Sequence, residues 1–398
     1  MRIVLFYSET ESFNFFSDQL AKELQTRGHE TFILNLPPSF DGSAHSFDNF
    51  SKFVSQKVDA AICFDGLGTM DDTFIGLWDA WQTVLVDILM DPPLRFHSTL
   101  KKHPQNYLLF CCDWDHVEYV KKYFSTEVSH VDFMPHVGVM PDENESRIPY
   151  AEKKYDILFS GTYYIPESFL LNMEKQFPKD SLIYTLYQCV FDCLKENPDL
   201  TMEQAMLYTM ERIDFHAEPE ILKQLLQCSE PVDWAIRMYE RGRVVQTLAE
   251  AGFELYLLGR GWENHSSAGY PNVHHISGRV PYAETLPYMA DAKINLNVFP
   301  WFKAGTHDRI FNTLLRHSVP LTDSSRWVME NFTDGEDIAL YDLKHLERLP
   351  DIVSGLLGDC THAEAMIQKG YEKVLHNFTY SNCTDWILDA IEKHYNIR

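Results

Sequence analysis

Residues 3–36, IVLFYSETESFNFFSDQLAKELQTRGHETFILNL, decide the fold class of the N-terminal part of the chain. Residues 3–7 are a short apolar run bounded by polar residues, which predicts a buried strand. The next apolar residues recur at helical spacing: Phe15, Phe16, Leu20 and Leu24. Gly28 ends that helix, and residues 31–36 form a second strand. A strand, a helix and a strand in this order predict a parallel crossover.

The same alternation continues along most of the chain. Four more strands are predicted before residue 135, at 60–64, 84–89, 107–111 and 131–134. Residues 138–154 are polar and loop-like, and we interpret them as a linker. Six strands are predicted beyond it, at 155–160, 254–258, 273–277, 294–299, 319–322 and 338–341. Short apolar runs divided by helices predict an α/β fold with two Rossmann-like, doubly wound domains.

This pattern sets the predicted domain boundaries. The N-terminal domain spans 1–150 and the C-terminal domain 151–375, with a helical insertion at 166–251 that is rich in Leu, Met, Gln and Glu. Residues 376–398 are predicted to form a C-terminal helix that packs back on the N-terminal domain. The insertion is predicted to shape an acceptor pocket, a dimer surface or a structural cover.

Composition excludes several classes of partner. The 398 residues carry a formal net charge of -24, which would repel nucleic acid and an anionic membrane surface. No run of about 18 apolar residues is present, so no membrane span is expected. The eight cysteines lack the spacing of a zinc site or a disulfide framework, which predicts a cytoplasmic protein. Oligomeric state stays open.

The segment around residue 305 carries a family resemblance. It reads Gly305-Thr-His-Asp-Arg309-Ile-Phe-Asn312, followed by Val319-Pro-Leu-Thr-Asp323-Ser324. This segment resembles the C-terminal domain of the CgeB-like (spore maturation) branch of group 1 glycosyltransferases. Weaker similarities lie at 91–93, 113–120 and 133–136. The resemblance implies a GT-B fold and transfer of a sugar from a nucleotide-sugar, such as a UDP-sugar, to an unknown acceptor in an interdomain cleft. It also implies that no cofactor or divalent metal is required.

The chemistry of this segment suits a diphosphate. Gly305 permits a tight turn before a helix that is predicted to start near Thr306, whose free N–H groups and dipole attract an anion. Arg309 adds a fork of donors for phosphate oxygens, and an ion pair with a nearby carboxylate is the alternative. Asp323 and Ser324 are predicted to cap the next helix or to contact the ligand.

The segment departs from the family in one respect. Group 1 glycosyltransferases often carry two glutamates here, one near the transferred sugar and one on the ribose. Ala304 and Asn312 occupy the corresponding positions. Asn312 can still form hydrogen bonds with hydroxyls, whereas Ala304 cannot.

Two other loops of the C-terminal domain are predicted to contact the donor. Gly161 follows its first strand, where a Rossmann-type fold brings the backbone close to phosphate, although a plain turn is also compatible. Arg260 follows the next strand and is predicted to contact phosphate, while Trp262 contacts the base or sugar or simply packs in the core. The remaining predicted donor contacts are Thr162, Asn297, Thr306 and His307.

Two carboxylates of the N-terminal domain are predicted to act at the reacting centre. Asp91 follows a strand and precedes two prolines, and Glu9 lies on the loop after the first strand. Either is able to serve as a base, although Glu9 also suits a capping role. Asp113-Trp-Asp115 spells a metal-binding Asp-x-Asp pattern, but we favour helix capping, with Asp115 and Glu118 in an N-cap arrangement.

Two alternatives to a hexosyl- or N-acetylhexosaminyl-transferase remain. A nucleotide-sugar 2-epimerase would use the same scaffold without an acceptor. A catalytically silent sugar-nucleotide-binding protein would bind the donor without turnover, and the absent pair of glutamates supports it. The base, the sugar, the acceptor and the stereochemical outcome are not determined by the sequence.

Overall fold

A computed structural model describes residues 1–35, 44–69, 71–142, 145–276, 278 and 280–397. Leu36 and Ser277, which end two of the predicted strands, lie outside the described residues. The chain divides into two compact units. The first unit contains Met1–Met140, Pro281–Ala283 and Asn377–Arg398, and the second contains Pro141–Val280 and Glu284–His376.

The first unit is built on a six-stranded sheet with the order β2-β1-β3-β4-β5-β6. All neighbouring strands are parallel. Their bounds are β1 (Arg2–Tyr7), β2 (Glu30–Asn35), β3 (Ala60–Phe64), β4 (Val84–Leu89), β5 (Tyr107–Cys111) and β6 (Val131–Phe133). The three strands β3, β4 and β5 are buried along their whole length, as central strands covered on both faces must be.

The second unit contains another parallel sheet of six strands, in the order β12-β11-β10-β7-β8-β9. The bounds are β7 (Tyr155–Ser160), β8 (Leu255–Leu258), β9 (Val273–Ile276), β10 (Ala292–Asn297), β11 (Val319–Asp323) and β12 (Ala339–Tyr341). Its core is formed by inward-facing strand residues such as Ile157, Phe159 and Leu296 together with the buried face of a long helix, α10 (Glu230–Glu250).

Helices cover both sheets. In the first part of the chain they are α1 (Glu11–Thr26), α2 (Ala44–Phe53), α3 (Asp72–Trp81), α4 (His97–Lys101) and α5 (Trp114–Tyr123). The predicted insertion between β7 and β8 is helical, with α6 (Pro166–Met173), α7 (Leu182–Glu196), α8 (Met202–Arg212), α9 (Pro219–Gln227) and α10. The later helices are α11 (Tyr282–Ala290), α12 (Asp308–Leu315), α13 (Arg326–Asn331), α14 (Leu349–Gly358), α15 (Cys360–Asn377) and α16 (Tyr380–Tyr395).

The predicted fold class is confirmed. Each predicted strand is present, and its ends differ from the prediction by at most two residues. Both sheets are parallel and doubly wound, and the helical insertion lies in the second unit. Within the described part of the chain, no helix combines the length and apolar character needed to cross a membrane.

Candidate functional site

The second sheet reverses its strand order between two neighbours. From β7 the chain builds β8 and β9 on one side, and it then returns to place β10 on the other side. The two neighbours β7 and β10 are parallel and end at Ser160 and Asn297. Loops that leave such a pair diverge and form a crevice at the carboxyl ends of the strands, where ligands of this fold class bind. The candidate site is therefore the region around these two strand ends.

Backbone segments pack closely beside the end of β7. The Gly161 N–H donates to the carbonyl oxygen of Leu258 at the end of β8, at 2.8 Å. A Cβ atom on Gly259 would lie 2.4 Å from the Gly161 oxygen, and one on Gly261 would lie 1.9 Å from the Tyr163 oxygen. Both glycines have positive φ, at 146° and 83°. Only glycine fits these positions, because any side chain would overlap the neighbouring loop.

Trp262 lies in the core and supports this loop. Its side chain has no exposed surface, and its indole N–H donates to the Gly161 oxygen at 2.8 Å. The ring stacks on Tyr163 with the centroids 4.9 Å apart. Of the two predicted roles for Trp262, ligand contact and core packing, we therefore assign packing, in which it supports the loop after β7. Its neighbour Arg260 is exposed.

Arg309 joins the ends of the two central strands. Its guanidinium donates from Nη1 to Asn297 Oδ1 and from Nη2 to the Ser160 oxygen, the second at 2.6 Å. Its Cζ atom also lies 5.5 Å from the centroid of the Phe159 ring. Arg309, which the sequence predicts to bind phosphate oxygens, therefore lies at the crevice.

Arg241 is a second arginine at this place, and the sequence analysis missed it. It lies on α10, and its Nη1 donates to the Thr162 oxygen at 3.0 Å. Its Cζ atom lies 5.4 Å from the centroid of the Trp301 ring. The adjacent Gly242 allows close packing, because a Cβ there would lie 3.0 Å from His265 Nε2. We call Arg241 and Arg309 the arginine pair.

One signal in the sequence could have revealed Arg241. The run Glu240-Arg-Gly-Arg243 places a small residue between two cations on the last helix before β8. A glycine inside a long helix is unfavourable unless close packing or function requires it. The sequence pattern alone places this helix in an insertion whose role stays open between an acceptor pocket, a dimer surface and a structural cover.

The start of α12 differs from the prediction. The helix begins at Asp308, two residues later than expected, with His307 as its N-cap. His307 Nδ1 lies 3.2 Å from the Arg309 nitrogen and 2.6 Å from Asp308 Oδ1. Burial lowers the pKa of His307, the carboxylate of Asp308 partly opposes this, and the positive charges of Arg309 and Arg241 lower the pKa further. The protein's own side chains therefore occupy this helix start, which leaves the arginine pair as the stronger feature for binding an anion.

The segment before α12 is buried in the second unit. Ala304 and Thr306 have no exposed surface, and Asn312 is 1% exposed. The Gly305 oxygen accepts a hydrogen bond from Ser325 Oγ at 2.5 Å. Thr306 Oγ1 is buried and has no hydrogen-bond partner among the residues that the structure describes. These buried residues fix the shape of the loop, and the Thr306 hydroxyl is able to form a hydrogen bond with a ligand.

Asp323 does not cap the helix that follows it. The cap of α13 is Ser325, whose Oγ accepts the Val328 N–H at 3.1 Å, and Ser324 is exposed. Asp323 is 3% exposed and accepts the Phe299 N–H at 2.9 Å, which fixes the loop after β10. The cap falls at Ser325 because the strand continues through Asp323. Burial raises the pKa of Asp323 to about 7.

In the first unit, Asp91 lies beside another carboxylate. Its Oδ2 atom is 3.1 Å from Arg95 Nη1. Asp65, which the sequence analysis did not single out, follows β3 with a φ of 49° and accepts the Met90 N–H at 2.8 Å. Burial raises the pKa of Asp65 well above its ordinary value, and the charge of Asp91 adds to this effect. The negative charge of Asp91 therefore favours the protonated form of Asp65.

The other predicted acidic residues of the first unit fall in two places. Glu9 is exposed on the loop between β1 and α1, where the N-cap is Thr10. Asp113 is the N-cap of α5, and it accepts the Asp115 N–H at 2.7 Å. This segment caps α5 as predicted, but the cap is Asp113 and not the predicted Asp115, which lies in the first turn of the helix. Among the described residues, no group of three or more His, Cys, Asp or Glu side chains is arranged to hold a metal ion.

One known protein family matches a part of the chain that lies mostly in the second unit and ends in the C-terminal segment of the first unit. Residues 241–389 match the model of the glycosyl transferase-like family Glyco_trans_1_2. This range contains both members of the arginine pair and the strands from β8 to β12. Residues 241–389 are thus similar to a glycosyl transferase-like family, while the CgeB-like branch stays a prediction. No curated protein is significantly similar to the sequence.

Solved structures share the fold of the whole chain. Sucrose-phosphate synthase from Thermosynechococcus elongatus has a TM-score of 0.56 at 10% identity, with 100% of this chain and 99% of that chain covered. A glycosyltransferase from Rickettsia africae ESF-5 gives 0.51 at 10% identity, with 98% of each chain covered. AviGT4, a glycosyltransferase involved in Avilamycin A biosynthesis, gives 0.51 at 10% identity, covering 99% and 97%. The fold is that of the GT-B glycosyltransferases, as predicted.

Proposed function

We propose that this protein transfers a hexosyl or N-acetylhexosaminyl group from a nucleoside diphosphate sugar, such as a UDP-sugar, to an acceptor. The observation that carries this proposal is the arginine pair at the ends of β7 and β10. Two guanidinium groups from separate elements meet at the strand reversal of a Rossmann-like sheet, inside the range that matches a glycosyl transferase-like family. In a chain with a net charge of -24, two guanidinium groups at this place favour an anionic ligand over a cationic one.

The arginine pair suits the charge change of sugar transfer. The bond between the anomeric carbon and the phosphate oxygen breaks, and its electron pair leaves with the nucleoside diphosphate. Donors that are already in place where this negative charge develops lower the barrier. Arg241 and Arg309 would supply that stabilisation, which is the basis for proposing a reaction that does not require a divalent metal. Thr306 Oγ1 and the Gly161 loop would add neutral contacts to the donor.

The acceptor is proposed to bind on the first unit. Its hydroxyl attacks the anomeric carbon and loses a proton, and Asp91 is the proposed recipient of that proton, with Glu9 as the second candidate. Asp91 follows β4 at the carboxyl edge of the sheet, and its charge interacts with the buried carboxyl group of Asp65. Carboxylates at such positions are suitable general bases. We assign neither retention nor inversion of the anomeric configuration.

A ligand screen followed by a turnover assay tests the proposal. Thermal melting with UDP-, GDP-, ADP- and dTDP-sugars should reveal at least one donor, since a ligand of the native state raises the melting temperature. With that donor and a suitable acceptor, the protein should release free nucleoside diphosphate and form a glycoside. A screen without any shift contradicts the donor site. Conversion of the sugar without an acceptor would support an epimerase instead.

A further inference from the structure

The side-chain amide of Asn297 has a fixed orientation. Asn297 is the last residue of β10, is 1% exposed, and pairs in register with Thr322 of β11. Thr322 Oγ1 donates to the Asp323 oxygen at 3.0 Å, so its lone pairs accept the Asn297 Nδ2 donor at 2.9 Å. With Nδ2 directed to Thr322, Oδ1 must face the other way. That oxygen accepts Arg309 Nη1.

Both of these acceptors on Arg309 are uncharged. Asn297 Oδ1 is an amide oxygen, and the other acceptor is the backbone oxygen of Ser160 at 2.6 Å. An amide and a peptide carbonyl direct the guanidinium without adding a negative charge beside it. An aspartate at position 297 would have nearly the same shape, but it would place a carboxylate against the guanidinium. In a poorly solvated region this ion pair would compete with an anionic ligand.

We infer that Asn297 is a positioning residue that orients Arg309 through a neutral acceptor and adds no carboxylate beside the proposed diphosphate site. This inference rests on the proposed function. It changes the role given to Asn297, which the sequence analysis grouped with the direct donor contacts. Asn297 acts through Arg309, and Thr322 acts through Asn297.

A double-mutant cycle tests the inference. The affinity for the nucleoside diphosphate of the identified donor is measured by calorimetry in wild type, Asn297→Asp, Arg309→Ala and the double variant. Asn297→Asp should weaken binding by about tenfold or more in the wild-type background. It should have little effect when Arg309 is absent, because the added carboxylate then has no guanidinium to neutralise.

Asn272→Asp is the matched control. Asn272 lies in the same unit and donates from Nδ2 to the Ala249 and Phe253 oxygens, remote from the arginine pair in the fold. The same substitution there should lower the melting temperature without a selective loss of diphosphate affinity. An equal loss from Asn297→Asp in both backgrounds, or no loss in wild type, overturns the inference.

Thr322 provides a second route if Asn297→Asp does not fold. Thr322→Val removes the acceptor that fixes the amide, so the amide can turn its NH2 group toward Arg309, and a several-fold loss of affinity is expected. Thr322→Ser keeps the hydroxyl and should bind like wild type. Equal binding by both variants argues against the inference. A wild-type protein that binds no nucleoside diphosphate refutes the proposed function itself, whereas binding without these differences refutes only the role of Asn297.

Discussion

Arg309 and Arg241 show what a sequence reveals about a single residue and what it does not. Arg309 is recognisable because a glycine and a helix pattern surround it, and these predict a position at the edge of the sheet. Arg241 lies in the middle of a long helix, where its local signal is the adjacent Gly242. Only the packing of α10 against the loop after β7 brings its guanidinium to the Thr162 oxygen. Tertiary contacts of this kind leave little periodic signal in the sequence.

Removal of either arginine should weaken binding of the nucleoside diphosphate. Arg241→Ala and Arg309→Ala are each expected to cost about 1.5–3 kcal/mol, the usual range for hydrogen bonds to charged groups. Arg309→Lys should be intermediate, because a lysine keeps the charge but loses the planar fork. Calorimetric titration gives the three affinities.

The control for this series is Arg348→Ala, which removes an exposed arginine elsewhere in the second unit. It should bind like wild type. Equal losses for all of the alanine variants would mean that net charge alone matters, and no loss for any would remove the arginine pair from the site.

Asp323 should make stability depend on pH. Its pKa is raised by burial from an ordinary value of 3.8 to about 7, so the folded state keeps a proton that the unfolded state has released. Stability from this group is complete below pH 4 and falls as the pH rises to about 7, by up to about 1.4 kcal/mol per pH unit. The Glu240 carboxyl, whose pKa burial also raises to about 7, acts in the same direction.

Asp323→Asn isolates this effect, because an asparagine keeps the acceptor for the Phe299 N–H. Between pH 5 and pH 7, the melting temperature should fall less for Asp323→Asn than for wild type. Parallel curves for the two proteins would show that the Asp323 carboxyl titrates as an ordinary aspartate.

At the scale of elements, the strands were predictable and the details of the helix starts were not. Central strands of a parallel sheet are buried on both faces, so they appear as continuous apolar runs. β3, β4, β5 and β7 match the predicted bounds. Helix starts depend on which nearby side chain reaches a backbone N–H, and several candidates compete at each one. His307 is the N-cap of α12, which was predicted to start near Thr306. Ser325 is the N-cap of α13, for which Asp323 or Ser324 was predicted.

The loop after β8 should tolerate no side chain at Gly261. Gly261→Ala places a Cβ at 1.9 Å from the Tyr163 oxygen and also imposes strain at a φ of 83°. Gly252 has almost the same φ, 84°, with no atom within 4 Å of its added Cβ. Gly252→Ala should therefore cost only about 1 kcal/mol, the strain of a left-handed residue. Gly261→Ala should cost clearly more, as measured by thermal melting, and equal costs would show that the two loops are not packed as described.

Alanine substitutions at Asp113 and Asp115 distinguish helix capping from metal binding. Asp113→Ala should lower stability by about 0.5–2 kcal/mol through the loss of an N-cap, while Asp115→Ala should have a smaller effect. Thermal melting compares the two variants. Loss of a metal-dependent activity in Asp115→Ala would contradict the capping assignment.

At the scale of the whole molecule, the sequence predicts the two sheets and the helical insertion because each follows from hydrophobic periodicity over many residues. The arrangement of side chains at the strand reversal does not follow from periodicity, because it depends on contacts between residues far apart in the chain. Asn297 and Thr322 illustrate this, since their pairing is set by the register of β10 and β11.

A reaction supported by arginines should persist without divalent metal. Turnover with the identified donor is expected to survive treatment with EDTA, because the arginine pair supplies the positive charge at the leaving diphosphate. The rate of product formation with and without EDTA measures this directly. Loss of turnover that added Mn²⁺ restores would contradict this part of the account.

The central claim is that the arginine pair binds a diphosphate, and a crystal structure with the bound nucleoside diphosphate tests it most directly. We expect phosphate oxygens at hydrogen-bond distance, about 2.7–2.9 Å, from both Arg241 and Arg309 at the ends of β7 and β10. A nucleotide bound away from these two side chains, with both keeping only their contacts to the protein, would contradict the account.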